Sequence, residues 1–197
     1  GHAAAQTQAK RPSVVKRAAL IDITALKALG TKAAPITMEV FSDFQCPYCK
    51  RFFNEIEPVL REEYTKTGKA KIAWRDFAFL GVESLWAAEA ARCANDQGKF
   101  WQYHDMLFNR QNGENQGTFA KDKLKGFASE LGLNQKDFDA CLDSGKYAQA
   151  VKDDSDYGKS IGVAGTPATF INGELIEGVD PSDPFGRFKS LLDKYTK

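Results

Sequence analysis

Two cysteines three positions apart, in Cys46-Pro47-Tyr48-Cys49, directly follow the alternating run Ile36-Thr37-Met38-Glu39-Val40-Phe41-Ser42, and this junction constrains the chain more than any other feature. Proline at the first helical position is preorganised and loses nothing by lacking an N–H, so the junction reads as a strand entering a helix with Cys46 at or beside the N-cap. An N-cap side chain accepts a hydrogen bond from an N–H two or three residues on, and the third residue on is Cys49. The Cys46 sulfur therefore faces free amides, a setting that can bring a cysteine pKa from about 8.5 to roughly 3.5–7.5. A thiolate of that kind is both a nucleophile and a good leaving group at neutral pH.

Other readings of two such cysteines are half of a zinc site, halves of two separate disulfides, or coincidence. Zinc requires four ligands in tetrahedral geometry, and Cys93, Cys141 and His104 supply no second knuckle of suitable spacing. The strand before and the helix after argue against coincidence. Dithiol redox chemistry is the reading the residues favour, with no metal ligands assigned.

The chain has 197 residues and 43% hydrophobic content, enough to bury one substantial core. Its formal net charge of +1, with both signs interspersed, excludes a dedicated nucleic-acid or membrane surface, which would need a basic stripe. No apolar run approaches the roughly 20 residues of a membrane-spanning helix. Gly1-His2 reads as a vector scar, and Ala3-Ala4-Ala5-Gln6-Thr7-Gln8 has the small, polar character of a mature start after signal-peptide removal, so export is expected. Cys93 and Cys141 each sit in a helical pattern that can face one core. They are either two buried free thiols or, in an oxidising compartment, a bridge closing a long loop worth about 4 kcal/mol in the chain-entropy model. The bridge is the preferred expectation.

Along the chain, residues 1–19 lack periodicity and read as a flexible arm, Ala19–Ile23 as an edge strand, and Thr24–Leu29 as a short helical turn ending at Gly30. From Ile36 a buried strand leads into a helix from Cys46 to near Gly68, with a kink expected at Pro58, followed by a strand over Ala70–Asp76. A helical block comes next. Trp86, Phe100 and Trp101 read as packing residues, and His104 as a structural or surface histidine for which the sequence places no carboxylate partner. Asn172-Gly173, between Thr169-Phe170-Ile171 and Glu174-Leu175-Ile176-Glu177, is a strong hairpin signal because both turn positions need positive φ. A last helix is predicted from about Pro181 to Tyr195.

That order, with Phe41-Ser42-Asp43-Phe44-Gln45-Cys46-Pro47-Tyr48-Cys49 near the front and Gly165-Thr166-Pro167-Ala168-Thr169-Phe170-Ile171-Asn172-Gly173 near the back, resembles the exported DsbA-like thioredoxin-fold oxidoreductases. The resemblance runs from about Ile36 to Lys197, and includes the subgroup whose helical insertion carries its own disulfide, here Cys93 and Cys141. It implies an α/β fold with a central mixed sheet flanked by helices and an inserted helical subdomain. The expected organisation is an arm over 1–30, a first half over 31–80, an insertion over 81–160 and a second half over 161–197. It also implies that Cys46 is the exposed nucleophile and Cys49 its buried resolving partner, that Pro47 and Tyr48 complete the active-site motif between them, that Pro167 is a cis proline against the active-site disulfide, and that the Thr166 backbone pairs with substrate. Unaided, Thr166-Pro167 would read as trans, since only about 5–6% of X–Pro bonds in folded proteins are cis. One departure stands out. Relatives often place an acid six positions before the first cysteine, where this chain has Val40, with Glu39 on the opposite strand face. A carboxylate relay to the resolving thiol then falls to water, to Asp43 or to a register difference.

The implied activity is thiol–disulfide exchange, with a dithiol oxidase preferred over a reductase or isomerase, and with a non-catalytic binding or metal-holding module as the alternative from another class. No metal or organic cofactor is implied. The implied partners are cysteine-containing polypeptides undergoing folding and a membrane quinone-linked re-oxidase of DsbB or VKOR type. The implied setting is periplasmic or otherwise extracytoplasmic, with the chain a monomer that binds no nucleic acid.

Overall fold

The computed structural model describes residues 26–197, so the expected arm and the strand over Ala19–Ile23 lie outside the described residues. Four strands, β1 (Ile36–Ser42), β2 (Ala70–Asp76), β3 (Ala168–Ile171) and β4 (Glu174–Glu177), form one sheet in the order β2-β1-β3-β4. β1 and β2 are parallel with Ile36 opposite Ala70, and β3 is antiparallel to both β1 and β4. Parallel strands need a crossover, supplied here by α1 (Pro47–Glu55) and α2 (Glu57–Leu60). Five helices lie between β2 and β3: α3 (Val82–Asn95), α4 (Phe100–Arg110), α5 (Lys121–Glu130), α6 (Gln135–Ser144) and α7 (Ala148–Ser160). The last, α8 (Gly186–Tyr195), packs Phe188 against Phe52 of α1, with ring centroids 5.7 Å apart.

Both faces of the sheet are covered, so alternation along β1 sorts side chains between two cores. Ile36, Met38 and Val40 join the large core with α1, α3 and α4. Phe41 joins a smaller one with Phe77, Val163, Ala168 and Phe170. On that second face β1 and β2 also bury charge. Arg75, fully buried, donates from Nε to Glu39 Oε1 (2.7 Å) and from Nη1 to Asp154 Oδ1 of α7 (2.9 Å). Arg92 of α3 donates to Asp76 Oδ2 (2.6 Å) and Asp154 Oδ2 (2.7 Å).

Three boundaries differ from expectation. Residues 26–30 do not form a helical turn: Leu29 instead forms an antiparallel bridge to Ile72 on the open edge of β2, with bonds of 2.9 and 2.8 Å. Gly30 has φ +102° there, and a Cβ would sit 2.7 Å from the Ala70 carbonyl oxygen. The helix after Cys46 breaks at Ile56 (φ −112°), two residues before Pro58, and continues as α2 and a π-helical turn over Arg61–Thr65. Pro58 has no N–H to give to the Asn54 carbonyl, so the ladder is lost one turn upstream of the ring. The C-terminal helix starts at Gly186 because Asp180 accepts from the Ser182 N–H and hydroxyl and Asp183 from the Gly186 N–H, which holds 180–185 in turns. The hairpin forms as expected, with Asn172 at φ 46° and Gly173 at φ 88°. Asn172 Oδ1 also accepts from the Thr37 N–H at 2.9 Å, which fastens the turn to β1.

Candidate active site

Cys46 is the N-cap of α1, with extended φ −74° and ψ 123°, and Pro47 opens the helix. Its thiol lies 3.7 Å from the Thr166 carbonyl oxygen, to which it points as a weak donor. The Thr166–Pro167 peptide is cis. Cys46 is only 5% exposed, which corrects the expectation of an exposed nucleophile, and its sulfur lies beside the Thr166 carbonyl. Tyr48, in contrast, is 61% exposed at the rim.

The two thiols ionise in opposite senses. Cys46 is lowered to about 6, above all by a hydrogen bond from the Cys49 thiol; burial opposes this, while Thr166 and the Cys49 and Tyr48 amides add smaller contributions in the same direction. The side chain makes no N-cap hydrogen bond. The dominant cause is therefore the neighbouring thiol, and the amide contribution expected from the sequence is secondary. Cys49 is pushed well above its usual value by burial and then by Cys46, against which the Asp43 N–H and the Ser42 hydroxyl are weaker counterweights.

Neither carboxylate raised from the sequence is free to serve the buried thiol. Glu39 gives Oε1 to Arg75 on the far face of the sheet, as strand alternation requires. The Asp43 carboxylate accepts four bonds: from the Gln45 N–H and Ser84 Oγ at Oδ1, and from the Phe79 and Leu80 N–H groups at Oδ2. Burial raises its pKa. Only its backbone N–H turns toward Cys49.

Several polar residues around this segment have no sequence signal. Gln45 donates from Nε2 to Ser84 Oγ (2.8 Å) and accepts at Oε1 from the Asn115 N–H (2.7 Å). Gln111, at the end of α4, donates to the carbonyls of Phe44 (2.7 Å) and Cys46 (3.0 Å). These contacts span dozens of residues and follow no local spacing. Cys93 and Cys141 form a disulfide joining α3 to α6 across a separation of 48 residues.

His104 takes the structural one of its two expected roles, with carboxylate partners that the sequence did not place. It is fully buried and does have carboxylate partners, with Nδ1 2.8 Å from Asp105 Oδ1 and Nε2 3.5 Å from Glu57 Oε1. The second contact is an ion-pair distance without hydrogen-bond geometry. Glu57, His104 and Asp105 could together reach one cation. Arg61 already occupies that role, since its guanidinium donates to Asp105 at 3.0 and 2.6 Å and to Glu57 at 3.0 Å.

The family profile described as Thioredoxin matches residues 25–194. The chain belongs to the thioredoxin family. Among its relatives, a probable disulfide bond formation protein D from Bacillus anthracis is 28% identical over 87% of this chain and 78% of its own length. The oxidised BdbD structure from Bacillus subtilis superposes with a TM-score of 0.79 at 26% identity, covering 88% of this chain and 94% of that one. A protein named Na(+)/H(+) antiporter NhaA 1 from Salinispora arenicola is 34% identical over 76% of this chain, which spans only 22% of that much longer protein. With its mixed sheet flanked by helices and its likeness to the disulfide bond formation proteins, the chain is a DsbA-like thiol–disulfide oxidoreductase. Among the described residues no helix is long and apolar enough to cross a membrane.

Proposed function

We propose that the protein is a dithiol oxidase that introduces disulfides into exported polypeptides through Cys46 and Cys49. A substrate thiolate attacks Cys46 Sγ of the oxidised pair, forming a mixed disulfide, and Cys49 leaves as a thiolate that takes up a proton. A second substrate thiolate then attacks the substrate sulfur of the mixed disulfide and expels the Cys46 thiolate. The substrate loses two electrons and gains an S–S bond, and the pair is left reduced.

The observation that carries this reading is the placing of Cys46 at the N-cap of α1 beside the buried Cys49 thiol, which lowers Cys46 to about 6 while Cys49 is held protonated. A nucleophile ionised at neutral pH stabilises the reduced pair, so its disulfide is a strong oxidant and Cys46 a good leaving group. The cis Thr166–Pro167 loop lies against Cys46, in keeping with a backbone edge at Thr166 for a substrate segment and with Pro167 closing the site. Pro47 starts the helix and the exposed Tyr48 forms part of the docking rim. A second disulfide between Cys93 and Cys141 suits an extracytoplasmic setting, where a membrane quinone-linked oxidase regenerates the pair.

The test mixes oxidised protein with a reduced, unfolded polypeptide that holds two cysteines and follows loss of its thiols. Wild type oxidises it, Cys46→Ser does not, and Cys49→Ser, presented with a substrate disulfide, accumulates a mixed disulfide through Cys46. Oxidation that persists in Cys46→Ser would refute the assignment.

A further inference from the structure

The Cys46 peptide is held from the helical block. Gln111 ends α4 in extended conformation, φ −51° and ψ 128°, and its own N–H is taken by the Phe108 carbonyl. Its side chain then reaches back 65 residues and places Nε2 between the carbonyls of Phe44 (2.7 Å) and Cys46 (3.0 Å). The Cys46 carbonyl is also the acceptor for the Lys50 N–H (3.1 Å), which makes it the oxygen that closes the first turn of α1. Both hydrogens of one amide are thus spent on the two carbonyls that flank Gln45.

Two physical effects follow and have the same sign. Carbonyl oxygens carry partial negative charge, and a donor on those of Phe44 and of Cys46 itself offsets the field that this stretch of backbone sets against a thiolate on Cys46. Fixing the Cys46 carbonyl also fixes the peptide plane that starts the helix, and with it the aim of the Tyr48 and Cys49 N–H groups at the sulfur. The groups that act on the Cys46 sulfur are the Cys49 thiol, Thr166 and the Cys49 and Tyr48 N–H groups, and the two side-chain hydrogen bonds of Gln111 go to none of them.

We propose that Gln111 is a positioning residue of the helical block that sets the thiol reactivity of Cys46 by holding the Phe44 and Cys46 carbonyls; the inference rests on the oxidoreductase reading of the Cys46–Cys49 pair. The block is therefore a tuning element for a nucleophile on another part of the chain, and substitutions at this one amide adjust the oxidising strength without touching either cysteine.

The test compares wild type, Gln111→Leu, Gln111→Met and a control, Gln97→Leu. Gln97 makes a similar pair of amide bonds, to the Asn134 carbonyl and from the Asn134 N–H, away from Cys46. Each protein is examined for Cys46 ionisation by ultraviolet thiolate absorbance, for equilibration with glutathione, and for thermal midpoint. Both Gln111 variants are expected to ionise at higher pH and to shift the glutathione equilibrium about three- to tenfold toward the disulfide, the scale of one lost hydrogen bond. Gln97→Leu is expected to lose stability with the Cys46 titration unmoved. A lower thermal midpoint in the Gln111 variants with unchanged titration and equilibrium overturns the proposal and leaves Gln111 a structural amide. Wild type that fails to exchange with glutathione defeats the oxidase reading instead, and the absorbance titration still decides the role of Gln111.

Discussion

At the residue scale, Cys46 is lowered chiefly by one neighbour, the Cys49 thiol. Because the Cys49 thiol is the first cause, Cys49→Ala is expected to raise the Cys46 midpoint from about 6 toward the ordinary thiol range, read by thiolate absorbance. A midpoint that stays near 6 in that variant would return the leading role to the helix amides. The same shift has a consequence for stability. The folded Cys46 ionises at about 6 against 9.0 for an unperturbed thiol, so its contribution to the reduced protein is present above the unfolded value and is lost as pH falls through 6. Urea titrations should show the reduced protein gaining on the oxidised one as pH rises from 6 to 9, the pKa range of Cys46. A flat difference would contradict the shift. The dithiol was legible from the sequence because its chemistry is local: a strand, a cap, a proline and a second thiol all lie within a few positions. The cis bond before Pro167 was legible only by resemblance, and Gln45, Ser84, Gln111 and Asn115 were not legible at all, since each acts through a contact made by tertiary folding.

At the element scale, Arg75 binds β1, β2 and α7 together through Glu39 and Asp154. Replacing it by Met takes the guanidinium from buried Glu39 and one of two cationic partners from Asp154, which keeps Arg92, and breaking a buried pair in this way costs about 3–5 kcal/mol. Urea unfolding is the measurement, and a loss below about 1 kcal/mol, the worth of a surface pair, would show the network to be incidental. Gly158 in α7 makes a related point. An added Cβ would meet the rings of Phe41 at 2.9 Å and Phe77 at 3.0 Å. Gly158→Ala should therefore destabilise by about 1–3 kcal/mol through overpacking, although alanine is the better helix former by about 1 kcal/mol. An observed gain in thermal midpoint would mean that the second core has room to relax. Strand periodicity and the Asn172-Gly173 turn foretold the sheet because those signals are local. The kink expected at Pro58 falls two residues earlier at Ile56, and the late start of α8 was not foretold, because a proline marks the neighbourhood of a break while side-chain turns such as that of Asp183 with the Gly186 N–H decide where a helix begins.

At the scale of the whole molecule, the helical block is tied within itself by a disulfide and to the sheet by buried polar links. The Cys93–Cys141 bridge closes its long loop inside the block, so Cys93→Ala/Cys141→Ala should cost about 2–5 kcal/mol in urea unfolding without reductant while substrate oxidation by Cys46 and Cys49 persists. Loss of thiol exchange in a folded double variant would instead make the bridge part of the reaction. The central claim is that this fold holds one thiol ionised so that its disulfide oxidises others. Its most direct measure is the equilibrium of the Cys46–Cys49 pair with glutathione. The pair is expected to have a reduction potential well above the roughly −270 mV of thioredoxin, and a value at or below that mark would rule out an oxidase.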